Sequence, residues 1–197
     1  MWLLNLSKAV QGSLKKLKKI VGTVGETVLT TWASSSDIKA VGALLASRLA
    51  ASTEKRKEGE FERDSAQVLF ARQVGALMAL GTESSRALLA AFSALPTEVL
   101  LHVATNGQIS RAILDIFFVH NADADNTSKL VNALSSLATQ LACHYVGQHI
   151  LRQTFDIADI KVKENIVTSL IADKDRLNRT KEGRNSLQMV IAIIDRI

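Results

Sequence analysis

A glycine or serine, then a polar side chain, then an apolar pair three residues on recurs along this chain at nearly constant spacing. The best-preserved copy is Gly147-Gln148-His149-Ile150-Leu151-Arg152, inside the stretch His144 to Arg152. Gly183-Arg184-Asn185-Ser186-Leu187-Gln188 repeats it with Ser186 in one apolar slot, and Ser110-Arg111-Ala112-Ile113-Leu114-Asp115 repeats it with serine in place of glycine. Gly25-Glu26-Thr27-Val28-Leu29-Thr30 is a further copy near the N-terminus. Ser110 and Gly147 are 37 residues apart, and Gly147 and Gly183 are 36 apart. A period of this length, with one supersecondary unit per period, marks an array of stacked repeats. A single helix pair cannot cover its own apolar stripe, so neighbouring units supply the missing cover and the core runs along the array.

The repeating unit is helical. The chain has one proline and ten glycines in 197 residues, is 47% hydrophobic and 22% charged, and shows no sustained alternation of apolar and polar residues. That pattern fits an all-α fold, here an α-solenoid with about five units. The expected unit limits are 1–36, 37–95 with a charged insertion near 52–64, 96–120, 121–158 and 159–197. Spacing is less regular before Ser110. Gly25 lies 85 residues ahead of it, and Ser85-Arg86-Ala87-Leu88-Leu89-Ala90 lies between as a candidate extra copy.

Helical periodicity predicts the elements in order. Leu3, Leu6, Val10, Leu14, Leu17 and Val21 share one face, and a second helix runs from Glu26 to Trp32. Ser36 or Asp37 can cap the next helix, which passes through Val41, Leu44, Leu45 and Leu49. The mixed-charge run Thr53 to Glu60 has no apolar face and reads as a solvated insertion. Helices are then expected over Ser65–Leu80, ending at Gly81, and over Ser84–Leu95, with Pro96 in the first turn of the one after. Asn106-Gly107 precedes a helix from Gln108 to Phe118. Asn121 to Asn126 reads as a polar connector, with Asn126 or Thr127 as a cap. Ser128–Ala142, Gly147–Phe155, Val162–Ala172 and Arg184–Ile194 complete the list, one helix pair per period.

In this arrangement each apolar pair faces the core. Glu26, Arg111, Gln148 and Arg184 then form one row of polar side chains, with Thr30, Asp115, Arg152 and Gln188 beside it. The net charge of +5 points to an anionic partner. Lys15 to Lys19 and the cluster Lys174, Arg176, Arg179, Lys181 and Arg184 are the basic patches, each equally readable as a solvated face.

Catalytic signatures are missing. Cys143 is the single cysteine, which excludes an internal disulfide, fits a reducing compartment and suits a small buried side chain. Cys143 and His144 have no second pair at metal-ligand spacing, so no metal site is expected. His102 and His120 are isolated, the aspartates form no placeable carboxylate pair, and no phosphate-binding glycine loop with its lysine occurs. No enzymatic activity and no cofactor are expected. No apolar run approaches the ~18 residues of a spanning helix, so no membrane partner is expected. The first 24 residues carry five lysines and no acid, yet the lysines sit opposite an apolar stripe, which favours an amphipathic helix over a transit peptide.

The copies at Gly147 and Gly183 resemble the reading motif of the pumilio (PUF) RNA-binding repeat family. Leu95-Pro96-Thr97-Glu98-Val99-Leu100-Leu101, Ser110-Arg111 and His144 to Arg152 are most similar to its nucleolar protein nine-like branch. The likeness is most specific from Ser84 to Val190 and implies the C-terminal part of a longer array. By position, the resemblance implies that Gln148 with Arg152, Arg184 with Gln188, Arg111 with Asp115, and Glu26 with Thr30 contact base edges. Arg86 with Ala90 would be a further pair, and His149, Asn185, Ala112 and Thr27 would occupy the stacking position. It also implies an RNA partner, pre-ribosomal RNA, with pre-ribosomal particle proteins nearby, in nucleolar small-subunit ribosome biogenesis. None of the four main pairs matches the family's Asn-Gln, Cys-Gln, Ser-Gln or Ser-Glu code, and Ala112 and Thr27 have no ring to stack. A loose or structure-dependent recognition follows, with affinity drawn largely from phosphates. The competing reading is a HEAT- or armadillo-like scaffold that binds protein.

Overall fold

A computed structural model describes residues 38–50, 66–79, 83–120 and 124–194. Among them are eleven α-helices and no strand. They are α1 Ile38–Leu49, α2 Ala66–Met78, α3 Glu83–Ser93, α4 Thr97–Thr105, α5 Gly107–His120 and α6 Ala124–Ser135. Then come α7 Ala138–Ala142, α8 Tyr145–Ile157, α9 Ile160–Ala172, α10 Lys174–Leu177 and α11 Lys181–Ile194. The expected helices at Leu3–Val21 and Glu26–Trp32, the Gly25 copy and the charged run near 52–64 lie outside the described residues.

The helices stack in two rows. In one, α1 meets α3, α3 meets α6 and α6 meets α9; in the other, α2 meets α5, α5 meets α8 and α8 meets α11. The short helices α4, α7 and α10 join the rows, each packing on the helix that follows it. Each period after residue 83 thus holds three helices, where the sequence suggested two. The α2–α5–α8–α11 row carries the Ser110, Gly147 and Gly183 copies, and its members are called rung helices below.

The third helix arises because the expected Ser128–Ala142 helix is broken at Ser136-Leu137. Ser135 Oγ and Ser136 Oγ donate to the carbonyl oxygens of Asn132 and Ala133, at 2.8 and 2.7 Å. Such back-bonding offers those carbonyls an alternative to the helical ladder. Leu137 leaves the helix at φ −99°, ψ 7° and is buried with Leu134 and Leu141. Pro96 stands one place earlier than expected, at the N-cap of α4, where its carbonyl oxygen accepts from Val99 N and Leu100 N, both at 3.0 Å.

Asn126 does not cap a helix. It lies within α6 and is buried, where Ser93 Oγ donates to its Oδ1 at 3.5 Å and ties α3 to α6. A buried amide left unsatisfied would be costly, so this polar link belongs to the packing between units. The core continues from Leu45 and Leu49 through Phe92, Ile113, Leu114 and Phe117 to Leu134, Leu151, Ile166, Leu170 and Leu177. Each such Leu or Ile contributes roughly 1.5–3 kcal/mol. Phe92 and Phe117 meet with centroids 6.2 Å apart, joining the two rows within the α3–α5 triplet.

Candidate nucleic-acid interface

The rung helices α5, α8 and α11 turn their apolar pairs inward, as expected: Ile113-Leu114, Ile150-Leu151 and Ser186-Leu187 are all buried. Ser186 fits its apolar slot because its Oγ donates to the carbonyl oxygen of Ala142, at the end of α7, across 3.4 Å. The starts of these helices are held locally. Asn106 Oδ1 accepts from Gln108 N and Ile109 N at 3.1 and 3.2 Å, and Thr180 Oγ1 accepts from Gly183 N at 3.0 Å. His144 precedes α8 with extended backbone, φ −118° and ψ 135°.

Gly147 and Gly183 are not turn residues. Each is the third residue of its helix, and each is buried. A Cβ on Gly147 would lie 2.5 Å from the carbonyl oxygen of Leu141 and 2.9 Å from its Cα. A Cβ on Gly183 would meet Leu177 the same way, 2.8 Å from its Cα. The glycines thus let the linking helices α7 and α10 press directly on the backbone of α8 and α11, which sets the position of each rung.

Most of the candidate polar positions on these rungs face solvent. Arg111, His149, Arg152, Arg184, Asn185 and Gln188 are exposed; Gln148 and Asp115 are half-buried. Asp115 is linked to the next rung, since Gln153 Nε2 donates to its Oδ1 at 3.4 Å. Arg184 Nη1 donates to the carbonyl oxygen of Asn178 at 2.9 Å, which holds its guanidinium near the start of α11. Tyr145 and His149, one helical turn apart on α8, meet edge to face at 5.7 Å with ring planes at 85°.

Two of the sequence-based placements differ, and a third falls outside the described residues. Glu26, Thr27 and Thr30 lie outside the described residues. Arg86 and Ala90 belong to α3, in the other row, so they do not extend the ladder and the short 25-residue interval before Ser110 is no repeat. Ala112 is half-buried, with its carbonyl oxygen beneath Gly75 of α2, and a Cβ on Gly75 would stand 2.9 Å from Ile116 Cδ1.

That seam also exposes what the sequence reading missed: α2 is a rung. Its stretch opens Ala66-Gln67-Val68-Leu69 rather than with the glycine–polar start, so the repeat pattern passes over it. Gln67 Nε2 donates to the carbonyl oxygen of Ala50 at 2.7 Å and ties the helix start back to α1. Phe70, Ala71, Val74 and Met78, an i, i+1, i+4, i+8 stripe, could have indicated its buried face.

At the end of the described array, Lys174, Arg176, Arg179, Lys181 and Arg184 are all exposed on α10, the following turn and the start of α11, interleaved with Asp173, Asp175 and Glu182. Cys143 is half-buried and packs against the core. Among the described residues, no cluster of three His, Cys, Asp or Glu side chains could hold a metal ion. Nor is any described helix long and apolar enough to cross a membrane.

Stacked three-helix units whose rungs present polar side chains away from the buried apolar pairs define an α-solenoid of PUF-repeat type. A family model for the NOP9-like PUF repeat domain matches residues 5–185. The chain belongs to that family. A comparison with curated proteins finds no match.

Proposed function

We propose that this chain binds RNA along the exposed face of α5, α8 and α11, and that the RNA is pre-ribosomal, bound during small-subunit ribosome biogenesis in the nucleolus. The observation that carries the reading is that adjacent rungs keep Arg111, Arg152, Arg184 and Gln188 exposed while their apolar pairs are buried, which fits rows of Arg111, Gln148 and Arg184 and of Asp115, Arg152 and Gln188. Membership of a PUF repeat family supports it. His149 and Asn185 take the stacking position on α8 and α11, and Glu26 with Thr30 would continue the rows toward the N-terminus. The edge pairs spell no one-base-per-repeat code, so arginines and lysines facing phosphates supply most of the affinity. On this reading the array divides near 120 and 158. Pre-ribosomal particle proteins are further partners on this reading, which involves no catalysis and no cofactor.

The test is direct. The purified chain is expected to retain single-stranded or structured RNA at low salt, and Arg152→Ala with His149→Ala to weaken retention more than Lys129→Ala on α6. Equal effects from the two sets would remove the defined face, and no RNA retention at all would end the proposal. A protein-binding scaffold draws on Val119 and Ile160, exposed apolar side chains off the polar rows, and would associate without sensitivity to salt.

A further inference from the structure

Among the described residues Tyr145 is the only exposed Phe, Tyr or Trp side chain, at 68%. Phe70, Phe92, Phe117 and Phe155 are buried and Phe118 is half-buried. Tyr145 is the first residue of α8, three positions before Gln148, so it belongs to neither polar row. A third row runs through it. Gln108 and Lys181, 37 residues before and 36 after, are also exposed and also stand in the first turn of their rungs.

The ring is not isolated. His149 packs against it edge to face, 5.7 Å between centroids and 85° between planes. Two exposed rings at right angles form a corner. A flat heterocycle lying on one ring presents its edge to the other, so stacking and edge contact come from different walls. Edge-to-face pairs hold each other in place, and tyrosine offers rigid contact area at small entropic cost, so the corner is organised before a ligand arrives. Around it the charge is suited to a polyanion. Arg152 follows His149 by three residues on the same helix, and Lys181 and Arg184 are exposed on the adjacent rung.

We infer that Tyr145 and His149 together bracket one unpaired RNA base, with Tyr145 a binding residue outside the motif positions. This rests on the RNA-binding reading above and narrows it to unpaired nucleotides, because a base within a duplex has both faces covered by its neighbours.

The experiment uses the full chain and a single-stranded RNA carrying one fluorescent purine analogue, alongside the same strand annealed to its complement. Binding of the single strand quenches the analogue, and the annealed strand shows no quench. Tyr145→Phe keeps both affinity and quench. Tyr145→Ala and His149→Ala each weaken binding by about fivefold or more, the scale of one lost stacking contact. Circular dichroism checks that each variant keeps its helices, and Lys129→Ala on α6 serves as a control of unchanged affinity. If the wild type binds while Tyr145→Ala matches it in affinity and quench, the base bracket is wrong and RNA binding stands. If the annealed strand is quenched as strongly as the single strand, the restriction to unpaired bases is wrong. If the wild type retains neither strand, both readings fall.

Discussion

The carbonyl oxygen of Leu141 occupies the space a side chain on Gly147 would need, 2.5 Å from where its Cβ would stand. Gly183 meets Leu177 in the same way, 36 residues on in both partners. In these two units the repeat is a repeated backbone-on-backbone contact, and the glycine is the residue that permits it.

Glycine replacements should separate by position. Gly147→Ala and Gly183→Ala each overpack a backbone contact and are expected to cost about 1–3 kcal/mol. Gly42, inside α1, has only the Ala91 carbonyl oxygen near its virtual Cβ, at an ordinary 3.8 Å. Gly42→Ala is expected to raise stability by about 0.5–1 kcal/mol through helix propensity. Urea unfolding followed by circular dichroism gives all three values, and a neutral Gly147→Ala would contradict the contact.

Ser186 is polar in an apolar slot because it has the Ala142 carbonyl to meet. Ser186→Ala should lose about 1 kcal/mol, the usual net value of one hydrogen bond. A stabilised Ser186→Ala protein would show that the 3.4 Å contact contributes nothing.

Core and surface apolar residues should respond differently. Leu151 of α8 is fully buried, and its replacement by alanine is expected to cost about 2–5 kcal/mol. Ile160 is exposed at the start of α9, and Ile160→Ala should stay within about 0.5 kcal/mol. The same unfolding experiment distinguishes them.

Much of this was legible in the residues. The Ser110, Gly147 and Gly183 copies lie on adjacent rungs, and their apolar pairs are buried because period and helical phase both depend on side-chain type. What escaped depends on how the helices pack or on elements too short to show a pattern. Gly147 looked like a turn because glycine serves both turns and close approaches, and only the Leu141 carbonyl decides between them. Ser128–Ala142 read as one helix because Leu137 fits the helical stripe, whereas in three dimensions it fills the core at a break. The helix α10 is four residues long, too short to show a period. Asn126 read as a cap because asparagine favours caps, and its partner Ser93 lies 33 residues away. Arg86 and Ala90 matched the local pattern, but only packing reveals that α3 stands in the other row.

Asp115 illustrates the same limit within the proposed face. Its pairing with Arg111 follows from position, while its hydrogen bond from Gln153 links it to the following rung. Asp115→Ala removes that link, and the α5–α8 junction is expected to loosen by about 0.5–1.5 kcal/mol. Hydrogen exchange along α8 measures this, and unchanged protection would show that the link is inert.

The central claim is that the α5–α8–α11 face holds RNA through its basic and stacking side chains. The most direct measurement is the affinity of the full chain for RNA across a salt series, repeated for the Arg152→Ala, His149→Ala double variant. The expected result is binding at low salt that falls roughly tenfold between about 50 and about 200 mM salt, with the double variant weaker throughout and its salt slope shallower. Binding that ignores salt, or a double variant that tracks the wild type at every concentration, would contradict the claim.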